Sequence, residues 1–152
     1  MKSLFNKISH SIPDNVRLVA VSKTKPVELL KEAYEIGQRD FGENRVQEII
    51  EKQEVLPKDI KWHFIGHLQR NKVKYIAPFV HLIHSVDSIR LLNEIDKCAG
   101  KNDRKIPCLL QFHIAKEDSK YGFSLDDINH LEPENWQNII FSGVMGMATF
   151  SD

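Results

Sequence analysis

A lysine ends the first apolar run of the chain, within the sequence LVAVSKTKP of residues 18–26. Alternation along a strand places Val19, Val21 and Lys23 on one side, so the lysine faces the interior of the fold if the valines do. Burial disfavours the charged form of a lysine, and a neutral amine is a nucleophile toward carbonyl groups. Lys23 is therefore a candidate for Schiff-base formation with a sugar, a keto acid or pyridoxal phosphate. Considered alone, a strand-end lysine that extends into solvent is the commoner case, because buried lysines are rare.

Residues that can do chemistry also follow the other apolar runs. In parallel α/β folds, catalytic and binding groups gather at the C-terminal ends of the strands. The residues expected at those ends are Glu43 and Asn44, Gly66 and His67, Ser85 and Asp87, His113, and the segment 145–147. Lys120, in the charged loop over residues 116–123, is a candidate for contacting an anionic ligand, with a solvated loop as an equal alternative.

The spacing of the histidines does not predict a metal site. His63 and His67 flank a strand and a glycine, and His81 and His84 are expected on opposite faces of a strand. No acidic residue stands near them at the spacing typical of zinc ligands. The sequence GVMGM over residues 143–147 lacks the GxGxxG pattern, so a dinucleotide site of the Rossmann type is not predicted either.

Strand-like and helix-like segments alternate along the chain. Strands are predicted over residues 16–23, 39–43, 61–66, 81–88, 106–115 and 139–148. Helices are predicted over residues 26–37, 45–56, 69–79, 89–100 and 124–136, with Pro26 opening the first and Gly37 just beyond its end. This alternation predicts a parallel sheet, either doubly wound or closed as a (β/α) barrel. No linker divides the chain, so one domain over residues 1–152 is expected.

The composition is typical of a globular domain outside the membrane. Of the 152 residues, 41% are hydrophobic and 28% charged, and 21 basic residues balance 21 acidic ones. This balance gives no argument for binding nucleic acid or an acidic membrane surface. No apolar run approaches the roughly 20 residues of a membrane helix, and the N-terminus shows no secretory signal. Cys98 and Cys108 are expected to be free thiols in a reducing compartment, the cytoplasm by default.

Six segments occur in one order and at one spacing: VAVSKTKP, FGENRVQE, KWHFIGHLQRNK, LIHSVDS, SKYGF and GVMGMATF. Together they resemble the pyridoxal-phosphate homeostasis protein family (YggS/PROSC type), which shares its fold with the N-terminal barrel domain of alanine racemase. The resemblance covers residues 16–152. It implies an α/β fold, a (β/α) barrel of the TIM type with about six of its eight strands present.

The resemblance also implies a cofactor and the residues that hold it. Lys23 would hold pyridoxal 5'-phosphate (PLP) as a Schiff base, with its amine inside the barrel mouth. Asn44 would lie close to the cofactor, and Val21 and Met145 would line its ring. His113 replaces an asparagine found in many members, so it is expected beside the cofactor with an undefined role. Members of the family buffer or deliver the cofactor in vitamin B6 homeostasis, without known turnover.

The family pattern continues beyond the last residues of this sequence. The further segments of family members cradle the cofactor phosphate with backbone N–H groups, hydroxyls and an arginine. From the 152 residues alone we expect weaker cofactor retention, and either self-association through open strand edges or membership of a longer protein. A complete family member is expected to be a monomer.

Two other functions remain open at this stage. The first is a PLP-dependent amino-acid racemase, which would need a second acid/base group on the other face of the cofactor. The second is a cofactor-free aldolase in which Lys23 attacks a sugar carbonyl. Exchange of a substrate α-hydrogen with solvent would distinguish the racemase, and inhibition by added PLP would distinguish the aldolase.

Overall fold

The strands form one parallel sheet in the order in which they occur along the chain. A computed structural model describes residues 2–113 and 122–147. Its six strands pair in the order β1-β2-β3-β4-β5-β6, and each is parallel to the next. A doubly wound sheet reverses its strand order near the middle, whereas a barrel adds each strand beside the last. The consecutive order therefore selects the barrel-type architecture of the two that the sequence allowed.

The strands are β1 (Ala20–Val21), β2 (Asp40–Glu43), β3 (Lys61–Phe64), β4 (Leu82–Val86), β5 (Ile106–His113) and β6 (Ile139–Met147). The first is much shorter than the predicted strand over residues 16–23. Strand β1 is short because its partner offers few residues to pair with. Ala20 pairs with Phe41, and β2 begins at Asp40, one residue before Phe41. Residues before position 19 therefore have no β2 residue opposite them. The predicted strand end at residues 114–115 lies outside the described residues.

The helices are α1 (Lys2–Ser11), α2 (Val27–Glu35), α3 (Val46–Val55), α4 (Val73–Ile76), α5 (Ile89–Gly100) and α6 (Leu125–Asn129). Two single turns of 3-10 helix cover Arg70–Lys72 and Pro133–Asn135. The predicted helix over residues 89–100 is confirmed at both ends. Gly37 follows α2 with a φ of +109°, a left-handed conformation that suits glycine at a helix end.

One helix was missed by the sequence analysis, and two predicted helices were wrong. Helix α1 was not predicted, although Leu4, Phe5 and Ile8 have helical spacing and line a small apolar cavity of the fold. The helix predicted over 69–79 is a 3-10 turn followed by the short α4. The helix predicted over 124–136 ends at Asn129, because the ring of a proline at position 133 would clash with the carbonyl four residues earlier.

The two faces of the sheet differ. One face packs against the helices, and buried residues such as Phe64, Ile83, Leu92 and Ile95 form the core there. The opposite face corresponds to a barrel interior. Gly42 lies on it, and a Cβ added at Gly42 would be 3.1 Å from Ile65 Cδ1 and 3.2 Å from Val19 Cγ1. The side chains of Val19 and Ile65 thus close over the glycine, forming the apolar layer of this inner face.

None of the described helices is long and apolar enough to cross a membrane. Cys98 and Cys108 are both buried and free, as predicted. Burial raises the pKa of the Cys108 thiol to about 12, so this cysteine is a packing residue at neutral pH.

Candidate functional site

Lys23 lies directly beyond the C-terminal end of β1, at the edge of the sheet where the other predicted groups gather. Its side chain is exposed, and that of Val21 in the strand is 52% exposed. The expectation that the lysine is enclosed by the fold is therefore wrong for this chain. The physical reason is position, because β1 is an outer strand of the described sheet and pairs only with β2 within it. An exposed amine is open to a ligand from solvent.

The backbone next to Lys23 is held in place by a buried network of charged side chains. Lys52 of α3 is 6% exposed, and its Nζ donates to the carbonyl oxygen of Ser22 at 2.8 Å and to Glu43 Oε1 at 2.7 Å. The Ser22 hydroxyl donates to the same Glu43 oxygen at 2.6 Å, and the Glu43 side chain is fully buried. Because each contact is charge-assisted and shielded from water, the network fixes the end of β1 against α3.

A second carboxylate holds the residue after the lysine. The backbone N–H of Thr24 donates to Glu48 Oε2 at 2.8 Å, and the same oxygen is 3.2 Å from Lys52 Nζ. The Thr24 N–H and then the Lys52 ammonium keep the pKa of Glu48 below its usual value. Thr24 has a φ of +61°, which a non-glycine residue adopts only when its surroundings require it. Lys23 therefore has an anchored residue on each side, while its own side chain is exposed.

Asn44 follows β2 and has an unusual environment. Its amide oxygen Oδ1 is buried and has no hydrogen-bond partner among the described residues. A buried polar atom without a partner costs roughly 1–3 kcal/mol, so such an atom is often one that a ligand satisfies. Asn44 also lines a cavity of about 460 Å³, together with Arg45, His67, Lys72 and Tyr75. Asn44 and His67 are the two predicted strand-end residues that line this cavity.

The next strand end packs tightly against Asn44. A Cβ added at Gly66 would lie 2.2 Å from the Asn44 carbonyl oxygen, so only glycine fits there. The Ser85 hydroxyl donates to the Gly66 carbonyl oxygen. His67 Nδ1 is 3.2 Å from Asp87 Oδ2. The ends of β2, β3 and β4 are therefore brought together, as the sequence predicted.

The remaining predicted residues lie on β1, β5 and β6. Val21 pairs with Gly42. Met145 is half-buried and in register with Gln111. It lies two positions beyond Gly143, where an added Cβ would be 3.5 Å from Leu109 Cδ2. Alternation thus places Met145 on the inner face of the sheet. His113 ends β5, and Lys120 lies outside the described residues.

Sequence reasoning missed the residues that anchor the lysine. Glu48 and Lys52 are four apart on a helix, a spacing that usually indicates a weak pair at the surface. Only the packing of α3 against β1 and β2 shows that the pair is largely buried. It missed a second polar group as well, formed by Asp40, His63 and His84. The prediction that His81 and His84 point to opposite sides was wrong, because His81 precedes β4 and both rings contact that of His63.

A consecutive parallel sheet with a lysine after its first strand and polar groups at the other strand ends is typical of α/β barrel proteins. The chain belongs to the alanine racemase N-terminal domain family, whose sequence profile matches residues 1–152.

Two similar proteins match the chain at a sequence identity of 35% or more. The pyridoxal phosphate homeostasis protein of Aquifex aeolicus is 43% identical over 124 residues, which are 81% of this chain and 51% of that protein. PipY of Synechococcus elongatus, in its structure with PLP bound, is 35% identical with a TM-score of 0.90, and the match covers 99% of this chain and 71% of PipY.

A more distant similarity concerns the fold alone. Alanine racemase of Clostridium difficile is 14% identical with a TM-score of 0.72, over 97% of this chain and 39% of the enzyme. The chain spans about half the length of several curated relatives that it matches.

Proposed function

We propose that this chain binds PLP as a Schiff base on Lys23 and acts in intracellular PLP homeostasis, as a buffer or carrier without turnover. The observation that carries the proposal is the anchored segment around Lys23, which presents an exposed lysine at the C-terminal edge of a barrel-type sheet. The relatives support it, because they are named as homeostasis proteins and PipY is known with PLP bound.

The residues present fit an aldehyde cofactor of this kind. Lys23 Nζ would add to the aldehyde carbon, water would leave, and a C=N bond would replace the C=O bond. The reaction is reversed by water, so an exposed linkage suits a protein that stores and releases its ligand. PLP supplies an electron-withdrawing ring when bound. The buried Asn44 oxygen, unsatisfied among the described residues, would accept a hydrogen bond from a donor on the ligand.

Three further residues complete the proposed site. Val21 and Met145, both on the inner face, would contact the cofactor ring from the first and last strands of the sheet. His113 would lie beside the cofactor at the end of β5. Their roles follow from the family resemblance and from their positions at one edge of the sheet.

Borohydride trapping tests the proposal. The chain is incubated with PLP, reduced, digested and mapped by mass spectrometry. One equivalent of adduct on Lys23, lost in Lys23→Ala and kept in Lys25→Ala, is the expected result. Lys25 is the matched control because it is exposed and only two residues away. Adduct spread evenly over surface lysines, or unchanged in Lys23→Ala, would overturn the assignment.

A second measurement separates a carrier from an enzyme. The PLP-loaded chain is incubated with alanine in deuterium oxide, and the α-hydrogen is followed by NMR. We expect exchange no faster than with free PLP. Exchange well above that level, dependent on Lys23, would instead indicate the racemase-like activity.

A further inference from the structure

A cluster of histidines and one aspartate lies at the opposite end of the strands from Lys23. Asp40 is the first residue of β2, His63 lies in β3, and His81 precedes β4. One ligand atom from each of these three residues lies within 4.8 Å of the others. The geometry points to a binding site for a divalent transition-metal ion such as Zn²⁺, with Asp40, His63 and His81 as its protein ligands.

The donor set suits this class of ion. Two imidazoles and one carboxylate are common ligands of Zn²⁺, and a water completes four-coordinate geometry. Bonds of about 2.1 Å in a tetrahedral site separate the ligand atoms by roughly 3.4 Å. The ligand atoms of His63 and Asp40 are 2.9 Å apart, slightly closer than this, so an ion would move them apart. His81 precedes β4 and is only partly buried, and its ring would supply the third ligand.

The two hydrogen bonds of His63 would change when an ion binds. His63 Nε2 lies 2.9 Å from Asp40 Oδ1, and His63 Nδ1 lies 2.8 Å from His84 Nε2. Without an ion, His63 donates from Nε2 to Asp40 and accepts at Nδ1 from His84. With an ion between Nε2 and Asp40, the His63 proton moves to Nδ1 and is donated to His84. His84 then carries its own proton on Nδ1 instead of Nε2. Each ring keeps one proton, so the hydrogen bond between the histidines reverses and orients the ligand.

The cluster lies beside a positive charge. Arg17 opposes an ion, since its guanidinium is 3.3 Å from Asp40 Oδ1. The Arg17 side chain is largely exposed and can move into solvent. Removing its charge should therefore strengthen metal binding, an effect not expected if Asp40 served only as a salt-bridge partner.

Isothermal titration of the tag-free, chelator-treated 152-residue chain with Zn²⁺ tests the site. We expect one ion per chain and an affinity reduced at least about tenfold in His81→Ala and in Asp40→Asn. Arg17→Gln should bind more tightly. His130→Ala should bind as the parent does, because His130 is an exposed histidine remote from the cluster in sequence. Circular dichroism verifies that each variant is folded.

Cobalt gives an independent readout. Co²⁺ in place of Zn²⁺ should produce the visible absorption bands of a four-coordinate ion with nitrogen and oxygen ligands, and these bands should be lost in His81→Ala. The proposal is overturned if the folded parent chain binds no stoichiometric Zn²⁺. It is also overturned if the affinity is unchanged in both His81→Ala and Asp40→Asn.

Discussion

Lys52 Nζ donates a hydrogen bond to the carbonyl oxygen of Ser22, the residue immediately before Lys23, at 2.8 Å. A buried ammonium on α3 thereby determines the path of the chain at the end of β1. The same ammonium neutralises the buried Glu43 carboxylate. Stability and the placement of Lys23 consequently depend on one side chain.

Replacing Lys52 should affect both properties. Lys52→Met leaves the Glu43 carboxylate buried without its cation, and we expect unfolding to become easier by about 3–5 kcal/mol. Urea denaturation measures this loss. Lys58→Met is the matched control, because Lys58 is exposed on the chain that follows the same helix and should change stability little. The double variant Glu43→Gln/Lys52→Met should recover part of the stability, and no recovery would contradict the assigned charge pairing.

Gly66 should tolerate no side chain. An alanine Cβ there would lie 2.2 Å from the backbone oxygen of Asn44, and backbone cannot move aside easily. We expect Gly66→Ala to destabilise the fold by about 3 kcal/mol or more. At Gly100 the nearest atom to an added Cβ is the side-chain amide of Asn138, at 2.9 Å. Gly100→Ala should therefore stay within about 1 kcal/mol of the parent in thermal denaturation, since a helical alanine offsets the crowding.

Replacing Asn44 should change the affinity for the ligand without lowering the stability of the chain. Asn44→Ala removes a buried amide oxygen that is unsatisfied among the described residues, so the ligand-free chain should be no less stable than the parent. If that oxygen contacts the cofactor, the affinity for PLP should fall roughly fivefold to tenfold, as for one lost hydrogen bond. Absorbance titration with PLP measures this. Asn71→Ala, at an exposed position, should change neither quantity. Equal PLP affinity in the Asn44 variant would remove this residue from the site.

Glu48 should make stability depend on pH in the acid range. The pKa of Glu48 is lowered in the folded chain, so its contribution is fully present above the unfolded value of 4.5. That contribution is lost as the pH falls through the folded pKa, because the unfolded chain then binds more protons. We expect the denaturation midpoint of the parent to fall below pH 4.5, and to fall less in Glu48→Gln. Glu54→Gln, on the exposed side of α3, should follow the parent. Identical profiles for parent and Glu48→Gln would exclude the proposed role of this carboxylate.

The sequence predicted local features well and long-range pairs poorly. Alternating strands and helices follow from periodicity, and the position of Lys23 at a strand end follows from the apolar run before it. Neither the length of β1 nor the burial of Lys52 can be inferred from the residues next to it in the sequence. The first depends on where β2 begins, and the second on how α3 packs against two strands. The contact of Asp40 with His63 likewise joins residues 23 apart in the chain, and it exists only because β2 and β3 are adjacent.

Gly42 has a consequence for how the protein can vary. A Cβ added at this position would lie 3.1 Å from Ile65 Cδ1 and 3.2 Å from Val19 Cγ1. A larger residue would push these two apolar side chains aside, so a change at position 42 requires compensating changes at positions 19 and 65. The three positions therefore vary as a set rather than one by one.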